Sequence, residues 1–465
     1  MKQKTFRSRQ PAPFQLRYEK ALAWSLCLLG LFHLLITMGN YVFDTRLAKL
    51  ALTIDRYAAL AVVLASLMYV LITYIRFRGT MCRIQQFLRN AFTGDRLWLT
   101  LLFLWYLICI LVMGKQQGRS FFRPNDRYLL DVCISFFVLY MIPREKRVYE
   151  WGFHILMLVE TVFMIWALTH IFRLDVVSVP GGQIGMDKEY GLCIACNPNT
   201  TGAFASVFFL MAVYMAVVKK GILRVLYGLA ALVQLFPLYL SNSRTAYLAS
   251  ILAFAVFCFF LVWRRDPGKN RILFSSLAGV LGGAAFYFLR FGVLGLFESV
   301  THFSQYLTQI DGTKMEFTSL SGRIPIWRAA VKAIFLSPRY FFFGVTPAAV
   351  ESMLGYLQNK ENYVMYTHNQ FLQMGVAFGV PGLVFYCVWL VRTAVKCIRV
   401  GLKTEIWVIP VMVLMLVLSN IMESYLVAYY YFCGGVFFLI CGWVLSEAEK
   451  NPPVRKPHRK KRWKW

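Results

Sequence analysis

An all-α polytopic membrane protein is the fold class the sequence predicts, and three observations predict it. Of 465 residues, 58% are hydrophobic and 15% charged, with a mean hydropathy of +0.56, well above that of a soluble globular chain. Mostly apolar runs of about 20 residues, the length a helix needs to cross hydrocarbon, recur along the whole chain. The charges fall in short clusters between those runs, where basic loops fix orientation in a bilayer. The spans expected are 21–38, 57–75, 97–113, 128–142, 151–172, 199–218, 225–241, 245–263, 272–290, 369–391, 406–422 and 425–445, about twelve transmembrane helices in all. The fourth is short and carries Asp131, and only a tight turn at Glu423 and Ser424 parts the last two.

Orientation follows from the cations. With the N-terminus cytoplasmic, alternate connections and the two ends hold 33 of the 50 Lys and Arg, leaving 17. Several of those 17 lie in one long loop of the kind that translocates regardless of charge, so both termini are expected in the cytoplasm. The resulting division is a basic N-terminus 1–20, helices over 21–290, an extracytoplasmic loop 291–368, helices over 369–445 and a basic tail 446–465. A formal charge of +28 would raise nucleic-acid binding in a soluble protein. Here the clusters serve topology, no nucleic-acid partner is expected, and the tail Arg455–Trp465 reads as an anchor for anionic membrane lipids.

Cysteines such as Cys27, Cys109, Cys258 and Cys433 sit singly in apolar runs, where Cys packs as a small hydrophobe. The close pair Cys193 and Cys196 has no second pair or nearby His to complete a zinc site. Asp187 and Glu189 flank Lys188 in a polar stretch that reads as a solvated turn, so no metal ion or other cofactor is expected. The basic segment 1–20 precedes an apolar run without a small-residue cleavage site, unlike a signal peptide. Asp131 and Glu160, inside spans, read as helix-helix pairing residues.

The loop 291–368, roughly 78 residues, far exceeds an ordinary connection and should be a functional segment. Ile324, Trp327, Val331, Ile334 and Phe335 recur at helical spacing with Arg328 and Lys332 opposite, which predicts an amphipathic helix lying on the membrane surface. Thr346-Pro347 signals a second helix start, followed by Val350, Met353, Leu354 and Leu357 on one face.

Three elements on the outer side carry residues able to do chemistry: Ser241-Asn242-Ser243-Arg244-Thr245-Ala246, Ser321-Gly322-Arg323-Ile324-Pro325-Ile326-Trp327, and Thr367-His368-Asn369-Gln370-Phe371-Leu372-Gln373. Arg244 lies where two spans meet with almost no loop, at a depth where a guanidinium needs either a partner or a route for snorkelling to water. Arg290 and Arg323 occur on the same side. His302 sits early in the loop with no helix start behind it, whereas His368 stands directly before the tenth span, a rigid platform.

"LSNSRTAYLA", "SGRIPIWRAAVKAIFLSPRYFFFGV" and "THNQFLQMGVAFGVPGLVFYCVWL", in that order about a long loop, resemble the O-antigen ligase and polymerase family over about residues 190–445. "CNPNTTGAFAS" is similar to a further family segment, in which Asn199 either belongs to the site or caps the sixth span. The resemblance implies an integral-membrane glycosyltransferase of the C-type superfamily in the bacterial cytoplasmic membrane. Its donor would be a polyprenyl-diphosphate-linked glycan, transferred on the outer face to an acceptor hydroxyl with inversion and without a metal ion. Glycan, lipid and protein acceptors all stay open, as does the choice between ligase and polymerase. By position the family's essential arginines fall on Arg244 and Arg323 and its histidine on His368, with Arg290, Asn199 and Asn369 as further substrate-binding candidates.

Residue chemistry fits that implication. A diphosphate leaving group gains negative charge as its glycosidic bond breaks, and guanidinium offers planar paired donors while staying charged. The acceptor hydroxyl must lose a proton, which imidazole can take near neutral pH, although positioning by His368 would leave the same sequence trace. The alternative is a transporter such as a lipid-linked glycan flippase, but related halves and interrupted helices are not evident. A non-catalytic envelope scaffold would leave the placed Arg and His unused.

Topology is open to direct test. Single cysteines at Gly312 and Lys403, in a background cleared of native Cys, should label from outside and inside respectively; outside labelling at Lys403 would overturn the orientation.

Overall fold

The computed structural model of the chain describes Tyr57, Leu64 and residues 94–116, 146–173, 176–179, 182–187, 191–194, 198–241, 243–265, 268–301, 323–358, 366–403 and 408–423. The spans expected at 21–38, 128–142 and 425–445, all of 57–75 but its two single residues, Asp131, His302 and the basic tail lie outside the described residues. Those residues form α1 (Gly94–Gln116), α2 (Lys146–Arg173), β1 (Val176–Val179), β2 (Gly182–Asp187), β3 (Gly191–Ile194), α3 (Pro198–Val218), α4 (Ile222–Leu240), α5 (Arg244–Arg265) and α6 (Arg271–Thr301). There follow α7 (Arg323–Phe335), α8 (Pro338–Phe343), a 3-10 turn (Pro347–Ala349), α9 (Val350–Gln358), α10 (Gln370–Lys403) and α11 (Val408–Met422).

The helical architecture matches the expectation. Among the described residues, six helices are long and apolar enough to cross a membrane, in α1, α3, α4, α5, α6 and α10, while the apolar parts of α2 and α11 are shorter. Leu229 and Leu232 on α4, Leu252 on α5 and Phe288 on α6 are each more than half exposed, as lipid-facing side chains of a membrane bundle would be. One element departs from all-α. Strands β1, β2 and β3 make an antiparallel meander, with Val176 opposite Gly185 and Gly185 opposite Cys193. Strands of four to six residues leave a far weaker periodic trace than a 20-residue span, although the β-branched Val176 and Val177 are a hint of one.

Helices meet closely because small residues line their seams. A Cβ at Gly283 on α6 would stand 3.2 Å from the Ala255 side chain on α5. One at Gly202 on α3 would stand 2.7 Å from Ser241 Oγ and 2.8 Å from Ser243 Cβ. Ser250 Oγ on α5 donates to Ser206 Oγ on α3 (2.7 Å), and Ser206 to the carbonyl of Gly202 (2.7 Å). Buried Glu160 accepts from the amide of Gln234 on α4, an interhelical polar pair as its place within a span predicts.

Helix α6 continues past residue 290 to Thr301, so Arg290 is a helix residue. The helix expected around Trp327 exists as α7, but its buried face is Ala329, Ala330, Ala333 and Ile334, while Val331 and Phe335 are 45% and 65% exposed. Alanines let α7 lie close on α10, and the bulkier residues turn away from the protein. Thr346 stands at the start of the second helix, yet its side chain makes no cap bond. Its backbone does other work.

Helix α10 is broken at Gly379 (φ 69°). Pro381 has no N–H to return to the carbonyl of Ala377, four residues back, and the turn at Gly379 removes the regular partner of Val376. Outside donors replace both: Val345 N–H bonds to Val376 O (2.8 Å) and Thr346 N–H to Ala377 O (3.0 Å). The indole of Trp105 on α1 donates to Phe378 O (2.9 Å). Gly344 and Gly379 permit this approach, since a Cβ on either would collide with backbone, of Ala377 and of Phe342 respectively. Gly379→Ala should therefore cost about 2 kcal/mol or more, seen as a lowered melting temperature in detergent. Gly228→Ala, in a helix with open space around it, should leave the temperature unchanged or raise it slightly.

Candidate functional site

The buried carboxylate of Glu423, directly after α11, joins segments far apart in sequence. Arg323, first residue of α7, donates from Nη2 to Oε1 at 2.6 Å. Asn199, in the first turn of α3, donates from Nδ2 to the same oxygen at 2.8 Å. Oε2 faces His368 Nδ1 at 3.1 Å and accepts from the Tyr366 hydroxyl at 3.3 Å. The ring of Tyr366 lies against that of His368, centroids 4.2 Å apart. Relative exposure falls from 25% for the His368 side chain to 12% for Arg323 and zero for Glu423. Of these three the imidazole is the most open to a bound molecule.

Local structure holds His368 in place. Its φ is 51°, a left-handed conformation that non-glycine residues adopt sparingly and that recurs at functional sites. Both neighbours are pinned. Thr367 N–H bonds to Gln373 Oε1 (3.0 Å), and the Thr367 carbonyl accepts from Trp327 Nε1 (2.9 Å). Trp327 is one helical turn after Arg323, so a single face of α7 both braces the histidine segment and presents the arginine. Asn369 Oδ1 accepts from the backbones of Phe371 (2.9 Å) and Leu372 (3.0 Å), which makes Asn369 the N-cap of α10. The first N–H of α10, from Gln370, bonds to the carbonyl of Glu423 (3.1 Å) and so ties the start of one helix to the end of another.

Of the residues expected from sequence, Asn199, Arg323 and His368 converge on one carboxylate. Arg244 begins α5 beside Ser243, whose Oγ caps the helix by accepting from Ala246 N–H (3.3 Å). Ser241 and Ser243 pack on Gly202, one turn along α3 from Asn199, so Arg244 belongs to the same end of the bundle. Arg290 on α6 does not join Glu423; its guanidinium stands 5.2 Å from the ring centroid of Tyr247, one turn beyond Arg244 on α5. Glu423 and Tyr366 were missed as site residues. The available signal was a single acidic residue within an otherwise apolar stretch at a span boundary, where a charge is costly unless it is used.

A carboxylate at the C-terminal, negative end of α11 is unfavourable by roughly 0.3–1 kcal/mol, and it is fully buried. The guanidinium at 2.6 Å supplies the opposing charge. Removing either partner of such a buried pair typically costs about 3–5 kcal/mol. With its charge met by Arg323 and both oxygens taken, Glu423 is poorly disposed to ligate a cation. The exposed edge of the cluster instead offers cationic and hydrogen-bonding groups, which suits an anionic, oxygen-rich partner.

Apolar helices of spanning length, with a polar cluster at one end, are the architecture of a multi-pass membrane protein. Residues 229–387 match the family described as O-antigen ligase. That match supports a glycan-transferring enzyme in general terms. The matched stretch, about a third of the chain, contains Arg244, Arg290, Arg323, His368 and Asn369 but neither Asn199 nor Glu423. No curated protein matches the chain.

The cap gives Asn369 a measurable structural role. Asn369→Ala should destabilise the protein by about 1 kcal/mol, while Asn369→Ser, which can still cap, should melt close to the parent. Equal melting temperatures for all three proteins would remove the cap as its role.

Proposed function

We propose that this protein transfers glycan from a polyprenyl-diphosphate-linked donor onto an acceptor hydroxyl at the outer face of the bacterial cytoplasmic membrane, in cell-surface polysaccharide assembly. The observation carrying this reading is the pairing of Arg323 and His368 on one carboxylate, with the imidazole the more open of the two. An anion site and a proton acceptor side by side are what cleavage of a sugar-diphosphate bond requires.

In the proposed reaction the acceptor oxygen attacks the anomeric carbon as the bond from that carbon to the diphosphate oxygen breaks. The bonding pair leaves with the polyprenyl diphosphate, the acceptor proton passes to His368, and the anomeric centre inverts. Arg323 and Arg244 meet the growing charge on the leaving group, the preorganised electrostatic contribution that is commonly largest. Arg290 and Asn199 complete the donor wall, and no metal enters. The segment 291–368, with α7 and α9 inside it, then lies outside the membrane and both termini inside. Ligase and polymerase differ only in whether a lipid, a protein or another lipid-linked glycan brings the hydroxyl.

The test uses purified protein with lipid-linked glycan and acceptor from the host's own membranes, reading released polyprenyl diphosphate. Wild-type rate should rise with pH through one ionisation, since only the neutral ring accepts a proton. His368→Gln should lose about two to four orders of magnitude in rate together with that limb. Arg244→Lys should lose most activity at normal protein level, because a point charge does not replace a planar fork. Chelator should change nothing. Movement of intact lipid-linked glycan across vesicles without diphosphate release would instead favour the transporter.

A further inference from the structure

The proposed reaction uses Arg323 and His368 and leaves Glu423 without a task, although Glu423 is the residue both of them touch. A glutamate with no exposed surface cannot reach an acceptor hydroxyl, so it is not the base. What it can do follows from hydrogen-bond chemistry. A carboxylate is acceptor-only, so the imidazole nitrogen 3.1 Å from Oε2 must be the one carrying hydrogen. In a neutral ring the other nitrogen then holds the free lone pair. Among the described residues Nε2 has no hydrogen-bond partner, and the His368 side chain is more exposed than those of Arg323 and Glu423.

We propose that Glu423 is a positioning residue which holds His368 in the Nδ1–H tautomer, presents Nε2 to the acceptor hydroxyl, and stabilises the imidazolium formed when that proton arrives. The inference rests on the base role of His368 proposed above. When the acceptor O–H bond breaks, its electron pair stays on oxygen to form the new glycosidic bond, and its proton goes to Nε2. Glu423 gains and loses no proton. The positive charge thus created on the ring stands beside a carboxylate that was ordered before the reaction, the arrangement that makes a buried acid effective behind a catalytic histidine.

Division of the carboxylate explains why one residue serves both halves of the site. Oε1 is held by Arg323 and Asn199, which fixes the orientation of the group, while Oε2 is left to His368 and Tyr366. Tyr366 also buttresses the ring from its face. Among the described residues, the charged and titratable groups around His368 are Glu423 at the end of α11, Tyr366 on its own segment and, across the shared carboxylate, Arg323 on α7. Only Glu423 favours the imidazolium; Arg323 opposes it.

The sign of the pH effect follows. Neutralising Glu423 removes the negative charge beside the ring, so the imidazolium is disfavoured and the acidic limb of the rate profile moves to lower pH. For Glu423→Gln the expected result is a fall in kcat of about two to four orders of magnitude, an acidic limb displaced downward by at least about one pH unit, and a smaller change in KM for the lipid-linked donor. Glu423→Asp should restore part of the rate and return the limb toward the wild-type position. A Gln variant within tenfold of the wild-type rate would overturn the proposal, and so would a large loss with the limb unmoved, the mark of a merely structural role.

Should Glu423→Gln fail to fold, the wild-type enzyme still answers. Nitrogen-15 spectra of imidazole-labelled protein, with His368 assigned by difference against His368→Gln, should show the Nδ1–H tautomer; an Nε2–H tautomer would sink the idea. The base role of His368 and the positioning role of Glu423 fail differently. If His368→Gln stays active, the base reading itself is lost and this inference with it. If His368→Gln is inactive while Glu423→Gln is not, only the role of Glu423 is lost.

Discussion

A buried carboxylate must be surrounded by donors, and the site end of this protein is organised around meeting that demand at Glu423. Four groups meet it, from α3, α7 and the segment entering α10. None is a sequence neighbour of Glu423, so the cluster forms only when these elements have docked. The energetic asymmetry of buried ion pairs then works in favour of a defined geometry: a complete pair adds modest stability, but an incomplete one is strongly disfavoured. Alternative arrangements of α7 or of the 366–369 segment would strand a charge. The same constraint that orders the site therefore discriminates against other packings of its parts.

The break in α10 is the second condition, and it acts on the site through α7 and α8. A continuous helix would satisfy its own carbonyls and offer nothing to neighbours. Interrupted at Gly379 and Pro381, it exposes carbonyls that Val345, Thr346 and Trp105 fill. These bonds fix the chain just after α8, and α8 follows α7 almost directly, so the position of Arg323 depends on a kink more than two turns along α10 from His368. Phe343 stacks on Trp105 at 5.5 Å, adding an apolar clasp at the same point.

Burial in this protein also separates two kinds of apolar surface. Small residues, among them Gly202, Ala255, Gly283, Ala330 and Ala333, lie where helices touch. Larger ones, including Leu229, Phe288 and Phe335, remain exposed. In lipid the apolar tails are as good a surrounding for Leu as another helix would be, so close contact is gained through small side chains and polar bonds rather than by hiding bulk. That is why Val331 and Phe335, expected on the apolar face of α7, turn outward while Ile334 stays buried.

The apolar spans that became α1, α3, α4, α5, α6 and α10 and the helix at Trp327 were legible in the sequence, which also singled out Asn199, Arg323 and His368 as candidates. Length, hydropathy and the resemblance of three motifs carried that much, because each is a local property of the chain. The carboxylate they share was set by tertiary packing. Glu423 reads in sequence as a turn residue, since nothing local says that a lone acid at a helix end will be buried against groups up to 224 positions away. Likewise Asn369 became a helix cap, Arg290 a companion of Tyr247, and the stretch before α3 a small sheet. Each outcome depends on which donors and acceptors are left unmet after the helices pack, a quantity that exists only in three dimensions.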